Sequence, residues 1–387
     1  MARNIITGID IGTHTTRVVV TEFVKGRVIP RIIGVGSSET KGLRHGYIIN
    51  HADTARSIAQ AIKSAEKNAK VPIKSAYLSI GGISLESIVS NGQTIISRAD
   101  SEVTELDVKN VLAVSKENAG DLANKRILDI IPLKYKLDGK DVLTQNPEGM
   151  QGARLEVKTL FITCLEQHFA DLVHIVENIG VETEDVIASP IAASLVALTK
   201  KQRAVGCVLA NIGAETVSIV VFEDDIPTSV KVFPIGSTDI TNDIALGFSI
   251  PLEEAERLKK GDSRETFPKK KLDEIIEARL SDIFELIELH LKKIGRNGLL
   301  PAGIIITGGG AGVSTIADLA KATLNLPSTN PQTSALANQK DRIADSSWFV
   351  AYGLSIYGAN QERNPQVILP IGGIKKKVLS WFKQLLP

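Results

Sequence analysis

Ile6-Thr7-Gly8-Ile9-Asp10-Ile11-Gly12-Thr13-His14-Thr15-Thr16-Arg17-Val18-Val19-Val20 is the stretch that decides the fold. An apolar run meets a short turn of glycine and small hydroxyl residues, and a β-branched run follows. This predicts a strand, a tight turn and a second strand. About two hundred residues later the pattern returns as Val208-Leu209-Ala210-Asn211-Ile212-Gly213-Ala214-Glu215-Thr216-Val217-Ser218-Ile219-Val220-Val221. Two such hairpins facing each other are suited to hold one nucleotide between two related halves. The copies differ at one position that matters, with Asp10 in the first and Asn211 in the second.

At 387 residues the chain is long for one domain, so two lobes or more are expected. Its 45 basic and 44 acidic residues nearly cancel, which argues against a general nucleic-acid binder. Aromatic residues make up only 4%, which disfavours a single-strand stacking platform. Cys164 and Cys207 sit in apolar runs and read as reduced core residues of a cytosolic protein. Met1-Ala2-Arg3-Asn4 leads straight into a strand, without the pattern of a signal peptide. No apolar run reaches the ~20 residues of a spanning helix. The six histidines do not cluster at metal-ligand spacing.

Outward from the first hairpin, Val28–Gly36 reads as another strand. Asp53–Lys70 has helical spacing, with Asp53 as a candidate N-cap. Ser75–Ile80 reads as a buried strand ending at Gly81-Gly82. The character changes between 84 and 157, where strand-like pieces flank a helix from Glu105 to Asn118; this is an inserted module. Lys158–Leu165 is expected to resume the first lobe as a buried strand. Ile187-Ala188-Ser189-Pro190-Ile191-Ala192-Ala193-Ser194 opens a helix of small residues, suited to a lobe interface. The second half repeats the plan, with a charge-rich helical insertion and then a buried strand that stops at Gly308-Gly309-Gly310. The sequence thus predicts a duplicated α/β fold. Its first lobe core spans 1–83 and 158–200, with an inserted subdomain at 84–157. The second lobe core spans 201–229 and 298–359, with an insertion at 230–297. A linker at 360–373 and an amphipathic helix at 374–387 follow.

Close approach of backbone amides to phosphate favours glycine, which has no Cβ. Thr13, Thr15, Thr16 and Thr216 offer hydroxyl donors, and Asp10 offers a carboxylate for Mg²⁺ or its waters. The glycines Gly308, Gly309 and Gly310 let backbone lie against a base or ribose. Each piece alone is a common turn composition; the combination, in this order, is far more specific.

In that order the chain resembles the actin-type ATPase superfamily, whose two lobes clamp ATP in a ribonuclease H-like fold. Asp10, Gly12, Thr13, His14, Thr15, Thr16 and Arg17 resemble its first phosphate loop. Asn211, Gly213, Ala214, Glu215 and Thr216 resemble the second, and Thr307–Gly312 the adenosine loop. Glu256 and Lys259 resemble a nucleotide-contacting Glu-x-x-Lys, while Pro190–Leu198 and Trp348–Gly358 resemble the two connecting helices. Within the superfamily the chain is similar to the FtsA family of bacterial cell-division proteins. Gly42-Leu43-Arg44-His45-Gly46-Tyr47-Ile48 is similar to its first-lobe signature. Asn146–Val157 is similar to the end of its inserted subdomain.

The resemblance implies bound ATP and Mg²⁺, self-assembly into protofilaments, the C-terminal peptide of FtsZ as partner, other divisome proteins, and a place at the cytoplasmic face of the membrane at the septum. Glu277-Ala278-Arg279 is similar to a family Glu-x-Arg, which makes Arg279 the candidate partner-facing charge. Two departures bear on catalysis. Asn211 stands where the family usually has Asp, which removes charge from the pull on Mg²⁺. Ala214-Glu215 replaces a glycine pair, and no residue is identifiable as a water-orienting base. ATP binding with slow or absent hydrolysis is the expectation.

The last residues read as a surface helix. Ile374, Val378, Trp381, Phe382 and Leu385 form one face. Lys375, Lys376, Lys377 and Lys383 lie on or beside the other. At ~20 Å such a helix is too short to span a bilayer but suited to lie in an anionic interface. Two other readings stay open. One is a PilM-like scaffold of pilus assembly, which has no need of a lipid-binding tail. The other is a sugar kinase or chaperone-type ATPase on the same superfold; it needs an acceptor site or a further substrate domain.

Overall fold

Glycine turns flanked by β-branched runs leave the backbone of each half with few options besides strand pairing. The computed structural model describes residues 4–23, 29–98, 100–120, 122–144, 146–262, 267–312, 315–329, 331, 343 and 345–363. The expected membrane residues Ile374, Lys375, Lys376, Lys377, Val378, Trp381, Phe382, Lys383 and Leu385 lie outside the described residues.

The chain opens with β1 (Asn4–Ile11), β2 (Thr15–Phe23), β3 (Arg31–Glu39), a small hairpin of β4 (Leu43–Arg44) and β5 (Tyr47–Ile48), α1 (His51–Ala69) and β6 (Ser75–Ile80). β7 (Glu86–Ile95), α2 (Glu105–Glu117), β8 (Lys125–Leu137), β9 (Lys140–Val142) and β10 (Arg154–Leu165) follow. Next come α3 (Glu166–Asn178), β11 (Glu182–Ala188), α4 (Ser189–Ala197) and α5 (Lys200–Val205). The second half holds β12 (Cys207–Ile212), β13 (Val217–Glu223), β14 (Ile226–Phe233), α6 (Ser237–Phe248), α7 (Leu252–Lys259), α8 (Lys269–Lys293), β15 (Ile304–Thr307), α9 (Ile316–Leu324), β16 (Ser328–Thr329) and α10 (Phe349–Arg363).

The duplication is visible in the topology. The first sheet runs β3-β2-β1-β6-β11, and the second contains β14-β13-β12-β15-β16 in the corresponding order. In each, the first two pairings are antiparallel and the next two parallel. Val18, Val19 and Val20 are all buried, as are Val217 through Phe222, because both faces of these central strands are covered. Between the halves, α4 and α10 pack together in one core that also takes Ile6 and Val19 from the first sheet and Leu209 and Val220 from the second. The small residues of α4 thus sit at a lobe interface.

The inserted module is a sheet of β7, β10, β8 and β9 with α2 packed on it. β10 pairs with β7 and β8 along its whole length, so Lys158–Leu165 does not return to the first sheet. The apolar run there is buried between the insertion and the lobes, a setting that alternation alone does not distinguish from a lobe strand. The first sheet resumes only at β11. Lys231 and Glu86 bridge β14 to β7, which joins the insertion's sheet to the second lobe's.

Two local expectations shift. Asn50, not Asp53, caps α1: its side chain accepts the Asp53 N–H at 3.1 Å, and Asp53 sits in the first turn, where a carboxylate suits the helix dipole. α10 runs on to Arg363, past the expected linker start at 360. On α8 the buried residues are Ile276, Leu280, Ile283, Phe284, Ile287 and Leu291, the stripe that helical spacing predicts.

Candidate functional site

The two strand–turn–strand units face each other across a cleft of ≈ 400 Å³. Asp10, Gly12, Thr13, His14, Thr15 and Arg17 line it from the first turn, and Asn211, Gly213, Ala214 and Thr216 from the second. Glu256 and Lys259 enter from α7, and Gly308 and Gly309 from the turn after β15. The turns are built alike. A Cβ on Gly12 would lie 2.9 Å from the Thr15 carbonyl oxygen, and one on Gly213 would lie 2.9 Å from that of Thr216. Gly308 has φ +94°, and a Cβ there would meet the Ile212 carbonyl oxygen at 2.4 Å. Only glycine brings this backbone against the second turn.

Three expected residues are not in the cleft wall. Thr16 is buried and its hydroxyl pairs with that of Thr40 at 2.8 Å. It follows Thr15 on β2, so strand alternation turns it to the opposite face. The Glu215 carboxylate accepts the backbone N–H of His45 at 2.6 Å and leaves the cleft. Gly310 is buried against Ile212, where a Cβ would lie 2.5 Å from Cγ2.

Asp10 lies next to last in β1, opposite Arg17, and Ser79, next to last in β6, donates to it at 2.7 Å. Protein atoms crowd the carboxyl although it faces the cleft. This burial pushes its pKa up, against the smaller downward pulls of Ser79 and Arg17. A cation beside it would favour the charged form.

Glu256 and Lys259, one turn apart on α7, form an ion pair at 2.7 Å. Lys259 also donates to Thr241 at 2.7 Å and to the Ser237 carbonyl at 3.0 Å, and Thr241 donates to Glu256 at 2.6 Å. Burial acts to raise the Glu256 pKa. The combined hold of Lys259, Thr241 and Lys260 outweighs it and keeps the group at about 2. Burial lowers the Lys259 pKa, and Glu256 offsets this only in part. For a carboxyl depressed on folding, stability is fully present above its unfolded value of 4.5 and is lost as pH falls toward about 2. The stability gap between the wild type and Glu256→Gln is therefore expected to narrow between pH 5 and pH 3 in thermal unfolding. A constant gap would contradict the coupling.

Sequence reasoning missed Ser79 near the end of β6, Gly81 and Gly82 after it, Ser189 at α4, Ser237 and Thr238 at α6, and Asp345 and Ser347 ahead of α10; all line the cleft. In sequence each reads as an ordinary turn or cap residue. One signal was available: Gly236-Ser237-Thr238-Asp239 is a helix start, and the Asp239 side chain accepts the Gly236 N–H at 2.8 Å. That helix start is docked on the second turn, with Ser237 N–H donating to the Gly213 carbonyl at 2.9 Å and Thr238 N–H to that of Ala214 at 2.8 Å.

Elsewhere, Cys164 and Cys207 are free and buried, and burial pushes both thiols up to about 12, so they are inert packing groups. Among the described residues no three His, Cys, Asp or Glu side chains gather to hold a metal, and no helix is long and apolar enough to cross a membrane. Arg279 on α8 is half-buried, in a two-pronged pair with Asp243 (2.6 and 3.0 Å) and a contact to Asp282 at 3.1 Å.

Residues 208–353 match the family model of the cell division protein FtsA, and residues 82–163 match the model of the SHS2 domain inserted in FtsA. The cell division protein FtsA of Bacillus subtilis strain 168 is 32% identical, over 82% of this chain and 76% of that protein. The chain belongs to the FtsA family. The FtsA insertion match reaches 163, in keeping with β10 staying in the inserted sheet. Among solved structures, a PilM–PilN type IV pilus biogenesis complex superposes with a TM-score of 0.68 at 20% identity, covering 92% of this chain and 98% of that one. MreB5 of Spiroplasma citri bound to ADP superposes with a TM-score of 0.54 at 14% identity, covering 94% and 98%. Those two likenesses are of fold alone. The fold is the duplicated actin-like one with the FtsA insertion.

Proposed function

We propose that this FtsA-family chain binds ATP between its lobes, self-assembles in actin-like fashion, and tethers FtsZ filaments to the cytoplasmic face of the membrane at the septum. The observation that carries the reading is the cleft enclosed by two matching glycine–threonine turns, in a chain of the FtsA family. MreB5, which shares the fold, is described with ADP bound.

In this reading Gly12, Thr13, Gly213 and Thr216 cradle phosphate with backbone and hydroxyl donors. Arg17 and Lys259 supply positive charge, while Gly308 and Gly309 lie against the nucleoside. Asp10 is the residue suited to Mg²⁺ or its waters, since Mg²⁺ commonly needs only one or two carboxylates besides phosphate. Asn211 adds an amide without charge. Bound Mg²⁺ would neutralise phosphate charge.

Hydrolysis is proposed to be slow or absent, because Asn211 brings no charge to the metal and neither Glu215 nor Glu256 is placed as a free base. Glu215 is turned out of the cleft to His45, Glu256 is ion-paired with Lys259, and Asp10 is taken up by the metal in this reading. A general base for water needs a free lone pair within reach. For the FtsZ peptide we propose the shallow groove beside Arg279, lined by Asp243, Leu246, Ile275 and Ala278. Leu246 is 80% exposed there, an apolar group open to a partner. The segment Ile374–Pro387 is proposed as the lipid anchor.

Cosedimentation with anionic liposomes, with and without FtsZ and ATP, tests the whole reading. FtsZ is expected to reach the liposomes only when this protein is present and keeps residues 374–387. FtsZ recruitment undiminished by their removal would refute the anchor.

A further inference from the structure

The tip of the β4–β5 hairpin is a two-residue turn. His45 has φ +48° and Gly46 has φ +84°, the left-handed pair that a tight hairpin requires. This tip is held on the first lobe. A Cβ on Gly46 would lie 2.4 Å from the Gly82 Cα, so the two backbones are in contact. Beneath it the His168 ring lies on Tyr47, centroids 4.9 Å apart, and Ser84 Oγ is 3.2 Å from His168 Nδ1. From this fixed tip two contacts cross to the second lobe. The His45 N–H donates to the Glu215 carboxylate at 2.6 Å, and the His45 Nδ1–H donates to the Glu215 backbone carbonyl at 3.2 Å.

Glu215 belongs to the turn whose Gly213, Ala214 and Thr216 form a cleft wall, and the start of α6 is hydrogen-bonded to that same turn. A pull on Glu215 therefore moves the whole wall. The lobes are also joined by the packed α4 and α10, and the insertion is joined to the second lobe by the β14–β7 bridge. We propose that Glu215 is a positioning residue, one half of a latch whose other half is the His45–Gly46 turn, and that it holds the cleft closed before nucleotide enters. Its existence does not depend on the nucleotide reading. Its effect on ATP rests on that reading: a cleft held closed releases ligand slowly, and an opened one pays a population penalty in affinity.

The test begins without nucleotide. Hydrogen exchange of residues 43–48 and 213–216, and an inter-lobe distance from a donor–acceptor dye pair, are compared in the wild type, Glu215→Gln and Glu215→Ala. A hydrogen bond to a charged group is strong enough that its loss should speed exchange at the turn about 10-fold or more in Glu215→Ala. The inter-lobe distance should widen at the same time, with Glu215→Gln intermediate. Should Glu215→Ala fail to fold, Glu215→Asp shortens the reach by one methylene and should shift both readouts in the same direction. Unchanged exchange and distance would overturn the latch. Faster exchange at the turn with an unchanged distance would overturn it too, since it would leave only a local cap. In the ATP arm, the dissociation rate of a fluorescent ATP analogue should rise about 10-fold in Glu215→Ala. Failure of the wild type to bind ATP would defeat the nucleotide function, while the latch would still be judged on exchange and distance.

Discussion

Replacing Gly353 with alanine is expected to destabilise the protein by about 2 kcal/mol, against the usual sign of that substitution in a helix. In the interior of α10, alanine would ordinarily gain ~0.5–1 kcal/mol over glycine from backbone entropy. Here a Cβ would lie 1.9 Å from the Ala192 carbonyl oxygen and 2.6 Å from its carbon. These are backbone atoms of α4, which cannot rotate aside. Relief requires α10 to move off α4, and both helices serve the core that takes side chains from both sheets. Separating them loosens contacts with Ile191, Val196 and Leu354 as well, all buried. Urea unfolding of the wild type and Gly353→Ala checks the expectation. Equal or greater stability in the variant would mean that the two helices do not touch at this point.

Lys259→Met is expected to weaken ATP binding by about 2–3 kcal/mol, or roughly 30- to 150-fold in Kd. Methionine keeps much of the lysine's apolar stem and removes its charge. The ammonium faces the cleft and is already partly desolvated, the setting in which a charge-assisted bond to phosphate is strong. Its loss also leaves Glu256 with only Thr241 and the more exposed Lys260 as partners, so a less fully compensated negative charge would sit near the phosphates. Glu256→Gln with Lys259→Met should therefore recover part of the affinity lost in Lys259→Met alone. Titration with a fluorescent ATP analogue reads both. If Lys259→Met binds as the wild type does, Lys259 is an architectural residue of α7 and not a nucleotide contact.

The twin turns were legible because their chemistry is local. A strand, a glycine and a threonine four residues or fewer apart carry their own geometry, and both copies adopt it. The apolar stripe of α8 was legible for the same reason: 3.6-residue periodicity places Ile276, Leu280, Ile283 and Leu291 on one face whatever lies opposite. The sheet membership of β10 was not. Its residues are buried whether they join the first lobe or the insertion, and only pairing partners distant in sequence distinguish the two. Ser79 was missed because a serine near the end of a strand carries no sign of the carboxylate it will meet, here Asp10 from a neighbouring strand.

By itself the sequence determined the duplicated lobes, the glycine-bearing turns, the loss of charge at Asn211 and an insertion between β6 and α3, because these depend on residue type and short-range spacing. Tertiary structure alone decided which side chains enter the cleft. Thr16 faces away because β2 alternates. Gly310 is buried behind Ile212. Glu215, a carboxylate in a phosphate-type turn, is directed out of the cleft by a backbone N–H 170 positions away in the chain. The direction of a charged side chain depends on which partner is near enough to hydrogen-bond it, and that partner is set by folding.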